Sequence, residues 1–374
     1  MSALPPGVLR EASIDVGAIT HNTRHIAAAV GVPIIAVVKA DAYGHGAVRT
    51  ARAALAGGAQ MLGVTDLGEA FELRDAGIDA PILSWLHAPG TDFRAGLAQD
   101  ITIGVSSLEQ LRAVAAARVA ERPASVHLKF ETGLSRNGIA PADRSAVLAE
   151  TARFVASGDI VLDGVFSHLS NTTDIDDLAA LARFEDAVAE TSAAGLHPRW
   201  RHMAATGAAL TLPATRLDAV RIGIGLHGLS PLEGRSSADL GLRPSMTVRG
   251  QIAAVRQVPA GTGVSYGYRY RTDHATTLAL VPLGYADGVP RAASGRGPVR
   301  IGDTMHAVAG TIAMDQFVVD VGDAPVAVGD EVVLFGDPDR GDPTAEDWAA
   351  AADTINYEIV TRIGSRVPRR EVHS

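Results

Sequence analysis

The chain of 374 residues contains no cysteine. Disulfides and thiolate metal sites are therefore excluded, and nothing points to an oxidising compartment. Aromatic residues are also scarce, at 5%; beside the many alanines and valines this reads as a compositional bias with little functional weight. A basic excess is missing too. With a formal net charge of -9 and a pI near 5.7, the chain has no electrostatic footprint for nucleic acid or an anionic membrane. Small metabolites are the expected partners. The opening MSALPPGVLREASIDV has no apolar h-region, and no uninterrupted apolar stretch is long enough to span a bilayer. These absences predict a soluble, cytoplasmic protein. There is neither a repeat at solenoid spacing nor a low-complexity tract.

What the chain does have is rhythm. Its length exceeds what one core usually serves, so two domains are expected. Between residues 34 and 228 eight short apolar runs recur: IIAVVKA from Ile34, MLGVTD from Met61, PILSW from Pro81, ITIGV from Ile101, SVHLKF from Ser125, VLDGVFSHLS from Val161, RHMAAT from Arg201 and AVRIGIGLHG from Ala219. Several separators carry helical periodicity, such as Leu108, Leu111, Val114 and Ala115 after a cap at Ser106 or Ser107. The segments after residues 90 and 206 are poor helices. Eight strands alternating with helices imply an α/β fold, a closed parallel (β/α)8 barrel of the TIM type. From Met246 the pattern changes to alternating stretches punctuated by glycine, which predicts a mainly β domain with a single helix at Thr344 to Ala352. The boundary falls in the polar EGRSSADLGLRP, giving units of 1–240 and 241–374.

The chemistry centres on Ala36 to Gly46, AVVKADAYGHG. Lys39 follows Ile34, Ile35, Val37 and Val38, so it is partly desolvated, and desolvation favours the neutral amine that condenses with a carbonyl. Taken alone, a lysine at a strand end ordinarily snorkels to water. Here Tyr43, Gly44, His45 and Gly46 add a hydroxyl, an imidazole and bare amides suited to a phosphate. Barrel enzymes work at the C-terminal ends of their strands, and Lys39, Lys129, Arg136, His168, Thr206 and Arg221 all fall at or near such ends. Tyr43, Thr206 and the backbone of Gly223 and Ile224 form a donor set without bulk, as an anion requires.

The AVVKADAYGHG segment closely resembles the pyridoxal-phosphate lysine segment of alanine racemases, and later segments extend the likeness along most of the chain. The resemblance implies that Lys39 carries pyridoxal 5'-phosphate as a Schiff base, that Tyr43 and Thr206 (where relatives have Ser) bind the phosphate with Gly223 and Ile224, and that Arg221 faces the pyridine nitrogen. A guanidinium hardly ever gives up its proton, so such a partner weakens the electron sink and favours reprotonation at the same carbon. His168 would orient Arg221. In VSYG the resemblance makes Tyr266 the second base, supplied with Met314 and Asp315 of GTIAMDQ by the other subunit of a homodimer. A phenol with an ordinary pKa near ~10 must be tuned by positive charge to act there; Arg136, Arg221 and a protonated His168 are the sources expected. In HLKFETGLSRNG, Arg136 would approach the substrate carboxylate, with Lys129 carbamylated beside it. Tyr285 and Tyr357 would narrow the entrance and pocket, Tyr357 on the cofactor side and Tyr285 on the substrate side. A narrow entry implies L- and D-alanine rather than serine or lysine, with D-alanine destined for peptidoglycan. No metal is implied.

Two positions depart from the family pattern: Ile222 stands where relatives have proline, and His227 where they have tyrosine. Neither removes a needed donor. Ala313 stands where many relatives have cysteine. The nearest rival, a decarboxylase of the same architecture, needs an acidic partner for the pyridine nitrogen and an active-site cysteine, and a non-enzymatic carrier lacks the second domain.

Overall fold

The computed structural model describes residues 4–5, 7–119 and 122–373. The chain opens with strand β1 (Arg10–Asp15) and a helix at Val16–Val30. Asp15 accepts from the amide of Ala18, and Gly31 ends the helix at φ 70°, a left-handed position that glycine takes without steric cost.

Eight parallel strands then close into a barrel: β2 (Ile34–Val37), β3 (Met61–Val64), β4 (Ile82–Ser84), β5 (Ile101–Val105), β6 (Ala124–Lys129), β7 (Ile160–Phe166), β8 (Trp200–Ala205) and β9 (Ala219–Ile222). The ring is sealed where β9 pairs with β2, Ile35 opposite Arg221. These are the eight runs read from the sequence. They are nearly continuous apolar runs because a parallel barrel strand is buried on both faces. Ile35, Met61, Leu83 and Ala219 form a separate inner cluster under Trp85, while Ile34, Ala36, Leu62 and Ile82 join the main core. Ser107, not Ser106, caps the helix Leu108–Ala116. The weak segments do form helices, Phe93–Ala98 and Thr206–Thr211, each only six residues long.

The second unit contains a six-stranded sheet and a three-stranded sheet. At the centre of the larger one β10 (Met246–Gln251) pairs antiparallel with β1, and β1 pairs parallel with Arg369–Val372. Residues 10–15 thus lie in the second unit's sheet, although in sequence they precede the barrel. A buried charge cluster fixes the arrangement: Glu11 accepts from Arg249 at 2.7 Å and from Arg370 at 2.9 Å. Replacing Glu11 would strip the fully buried Arg249 of its buried counter-charge and leave it only the part-exposed Glu331. The helix Ala345–Ala352 starts at Thr344, whose side chain forms a capping box with Asp347. A second helix, Asn356–Thr361, was not expected from the sequence, and it carries Tyr357 to the barrel. No helix among the described residues is long and apolar enough to cross a membrane.

Candidate active site

A cavity of about 440 Å³ opens at the C-terminal ends of the barrel strands, where the fold gathers its strand-end side chains. Lys39, Tyr43, Lys129, Arg136, His168, Thr206, Arg221, Gly223, Ile224 and Tyr357 all line it. Every one of these was singled out from the sequence.

Lys39 leaves β2 through an unusual turn. Ala40, Asp41, Ala42 and Tyr43 all have φ between 50° and 56°, a left-handed helical turn without a glycine. Each such residue costs about 1–2 kcal/mol, so the surroundings must hold it. Glu69 does so by accepting from the amides of Ala40 and Thr65 at 2.7 Å each, and Asp41 accepts from the amide of Ala47. The turn places Lys39 and Tyr43 on the same cavity. Burial and the charges of Arg136 and Arg221 lower the Lys39 pKa, outweighing the opposite pull of Glu69.

At the other side Gly223 is required by close approach: a β-carbon there would lie 2.1 Å from the Tyr43 hydroxyl oxygen. The amide of Gly223 donates to Thr206 Oγ at 3.2 Å. Two hydroxyls and a bare backbone thus converge without bulk, as a phosphate or similar anion demands.

Arg221, buried near the end of β9, donates to acceptors on β8 and just past the end of β7: His202 Nδ1 at 2.7 Å, His168 Nδ1 at 3.0 Å, and the carbonyls of Ser167 and Met203 at 2.7 and 2.9 Å. None of these is a carboxylate. Burial and Arg136 push its pKa down to about 10, so it stays cationic. His168 meets Arg221 as expected, but it is not a source of positive charge. Burial and the cations of Arg221, Arg136, Lys129 and Lys39 push it down to about 3, so its ring is neutral and accepts. Lys129, under the same influences of burial, Arg221 and Arg136, is pushed down to about 8.

Tyr266, Tyr285 and Met314 do not line the cavity of this chain. They stand exposed on the second unit, at 74%, 41% and 53%. The fold nonetheless collects their loops. Thr311 donates to the carbonyl of Tyr266, and the amides of Tyr285 and Ala286 donate to the carbonyls of Ala313 and Met314. Gly284 permits this, since a β-carbon there would lie 2.3 Å from the Met314 carbonyl oxygen. Asp287, which holds the Tyr285 turn through the Gly284 amide, is paired with Arg10 and Arg366, and Arg366 reaches on to Asp315.

Sequence reading missed several contributors. Trp85 and Asn171 line the cavity; both follow barrel strands closely and share that positional signal with His168. His202 touches Arg221 from β8, inside a run read only as a strand.

The comparisons with known proteins agree with this geometry. Residues 14–231 match the family described as alanine racemase, N-terminal domain, and residues 245–371 match alanine racemase, C-terminal domain. The alanine racemase of Thermobifida fusca is 52% identical over 364 residues, covering 96% of this chain and 97% of its own. The crystal structure of alanine racemase from D-cycloserine producing Streptomyces lavendulae superposes with a TM-score of 0.97 at 47% identity, covering 99% of this chain and 98% of that one. The alanine racemase of Streptomyces coelicolor gives 0.95 at 47% identity, with 98% of each chain covered. With both domain families matched in order and the fold shared over 98% or more of each chain, the chain belongs to the alanine racemase family.

Proposed function

We propose that this chain interconverts L- and D-alanine, using pyridoxal 5'-phosphate held in the barrel mouth and a second base from another copy of the chain. The observation that carries the reading is the cavity itself: Lys39, Lys129, Arg136 and Arg221 converge on it, and among the described residues no Asp or Glu lines it. Such a site suits a ligand rich in anionic groups. The residues present fit pyridoxal phosphate, because Tyr43, Thr206 and the Gly223 backbone make a cradle that a β-carbon would fill. Lys39 supplies the amine for the aldehyde, and Arg221 a permanent donor for the ring nitrogen.

When bound, the cofactor supplies an electron-accepting ring that acidifies the α-carbon of the attached amino acid. Arg221 holds its proton and donates only, so the sink stays weak and return of the proton to the same carbon is favoured. Lys39 Nζ, its pKa lowered mainly by burial, accepts or returns the α-proton on one face. Tyr266 Oη serves the opposite face. Its exposure, together with that of Tyr285 and Met314, supports delivery to a partner copy's cavity rather than to its own. Arg136 binds the substrate carboxylate. Lys129, with a pKa near 8, has enough neutral amine to capture carbon dioxide, releasing a proton and leaving a carbamate between the charges of Arg136 and Arg221. Tyr357 and Tyr285 restrict the entrance to a small side chain. The product, D-alanine made in the cytoplasm, would feed peptidoglycan.

The test is incubation with L-alanine in deuterated water. α-Deuterated D-alanine is the expected product. Release of carbon dioxide would indicate a decarboxylase instead, and cofactor uptake without any turnover a carrier.

A further inference from the structure

Arg221 is a buried cation whose contacts are all neutral, yet a carboxylate lies at the end of a chain of rings that starts from it. Arg221 Nη1 donates to His202 Nδ1 at 2.7 Å. His202 Nε2 meets His127 Nδ1 at 2.9 Å, and His127 Nε2 meets Asp163 Oδ2 at 3.5 Å. The path crosses β9, β8, β6 and β7, and both rings are fully buried.

This path has only one consistent proton arrangement. A guanidinium donates and never accepts, an ionised carboxylate accepts and never donates, and a neutral imidazole does one at each nitrogen. His202 Nδ1 must therefore accept, which puts its proton on Nε2. His127 must then accept at Nδ1 and carry its proton on Nε2, toward Asp163. Both rings are neutral, because burial lowers their pKa values, while the His127 hydrogen bond lowers that of Asp163. The packing is fitted to this path. The His127 ring lies against Gly164, where a β-carbon would fall 2.5 Å from Cε1, and the His202 ring stacks on Phe166 at 4.9 Å and 10°.

We propose that Asp163 is the distant counter-ion of Arg221 and a positioning residue for the reaction: through His127 and His202 it fixes the direction of each hydrogen bond and so the orientation of the guanidinium. The inference rests on the reading that Arg221 serves the cofactor ring. Arg221 sets the direction at one end and the carboxylate at the other; without the carboxylate the opposite tautomers, in which His202 presents a proton to Arg221, donor against donor, are opposed from one end only.

The experiment compares wild type, Asp163→Asn and Asp163→Glu as cofactor-loaded protein with 15N-labelled histidine. In wild type, His202 Nδ1 and His127 Nδ1 are expected to be bare and both Nε2 protonated. In Asp163→Asn, whose amide oxygen is a weaker, uncharged acceptor, the opposite tautomers should become detectably populated, with kcat down about tenfold at unchanged KM for alanine, the scale of one lost hydrogen bond to a charged group. Asp163→Glu should recover most of the loss. His127→Asn breaks the relay at its middle and should give the same fall, which serves if Asp163→Asn does not fold. Unchanged tautomers together with unchanged kcat in the folded Asp163→Asn or His127→Asn chain would overturn the proposal. If wild type takes up no pyridoxal phosphate, the reading of the site fails, and the tautomer comparison still decides the relay.

Discussion

The hydroxyl of Tyr43 rests against the α-carbon of Gly223, so close that a β-carbon built there would be 2.1 Å from the phenolic oxygen. Tyr43 comes from the left-handed turn after the first barrel strand and Gly223 from the end of the last. The seam of the barrel and the anion cradle are thus one place.

Gly223→Ala tests the cradle. Because the obstructing atom is the end of a packed side chain, Tyr43 must swing away, and overpacking of this kind costs about 1–3 kcal/mol. The expected result is a folded chain whose pyridoxal-phosphate dissociation constant, measured by fluorescence titration, rises at least about tenfold, the equivalent of one lost hydroxyl contact. Unchanged affinity would remove Tyr43 and Gly223 from the binding set.

Lys39→Ala removes the amine. The visible absorbance of covalently held cofactor should vanish along with nearly all racemisation, while the barrel persists, since the turn is held by Glu69 and Asp41 rather than by the lysine. Retention of that absorbance would reassign the attachment point.

Shared sites give a complementation test. Lys39→Ala and Tyr266→Phe should each be almost inactive as homodimers, Tyr266→Phe keeping its cofactor and losing deuterium exchange mainly from one enantiomer. Co-expressed, they should regain about a quarter of the wild-type sites, because a two-fold dimer of mixed chains rebuilds one intact cavity out of two. No regain would mean that each chain uses its own Tyr266.

The buried histidines set an acid limit. His168 and His45 are neutral in the folded chain, pushed down to about 3 and about 4 from an ordinary value of 6.5. Unfolding restores the higher affinity for protons, so between these values the unfolded state binds more protons and stability falls as pH falls. Denaturant titration of the unliganded chain should show a loss on the order of 1 kcal/mol per pH unit and per histidine below pH 6.5. A flat profile from pH 7 to 4.5 would contradict their neutrality.

The barrel was legible because its strands are buried on both faces and so spell themselves as apolar runs, and the strand-end residues followed from the geometry of such barrels. His202 and His127 escaped because their meaning lies in partners on other strands, which no local pattern records. The turn at Ala40–Tyr43 escaped for another reason: it is left-handed without glycine, against local preference, and side chains such as Glu69, Asp41 and His45 hold it. Helix Asn356–Thr361 is too short for periodicity to reveal. Tyr266, Tyr285 and Met314 were found through motif likeness alone, and their loops prove to be tied together on one face.

The pairing of β1 with both β10 and Arg369–Val372 also bears on synthesis. A ribosome delivers β1 before all of the barrel strands and the edge strand Arg369–Val372 after them. The barrel can close once Ile222 has emerged, but the buried Glu11 lacks one of its two guanidinium partners until Arg370 arrives. Residues 369–372 act as a clasp, and a clip that removes them would open the sheet at β1.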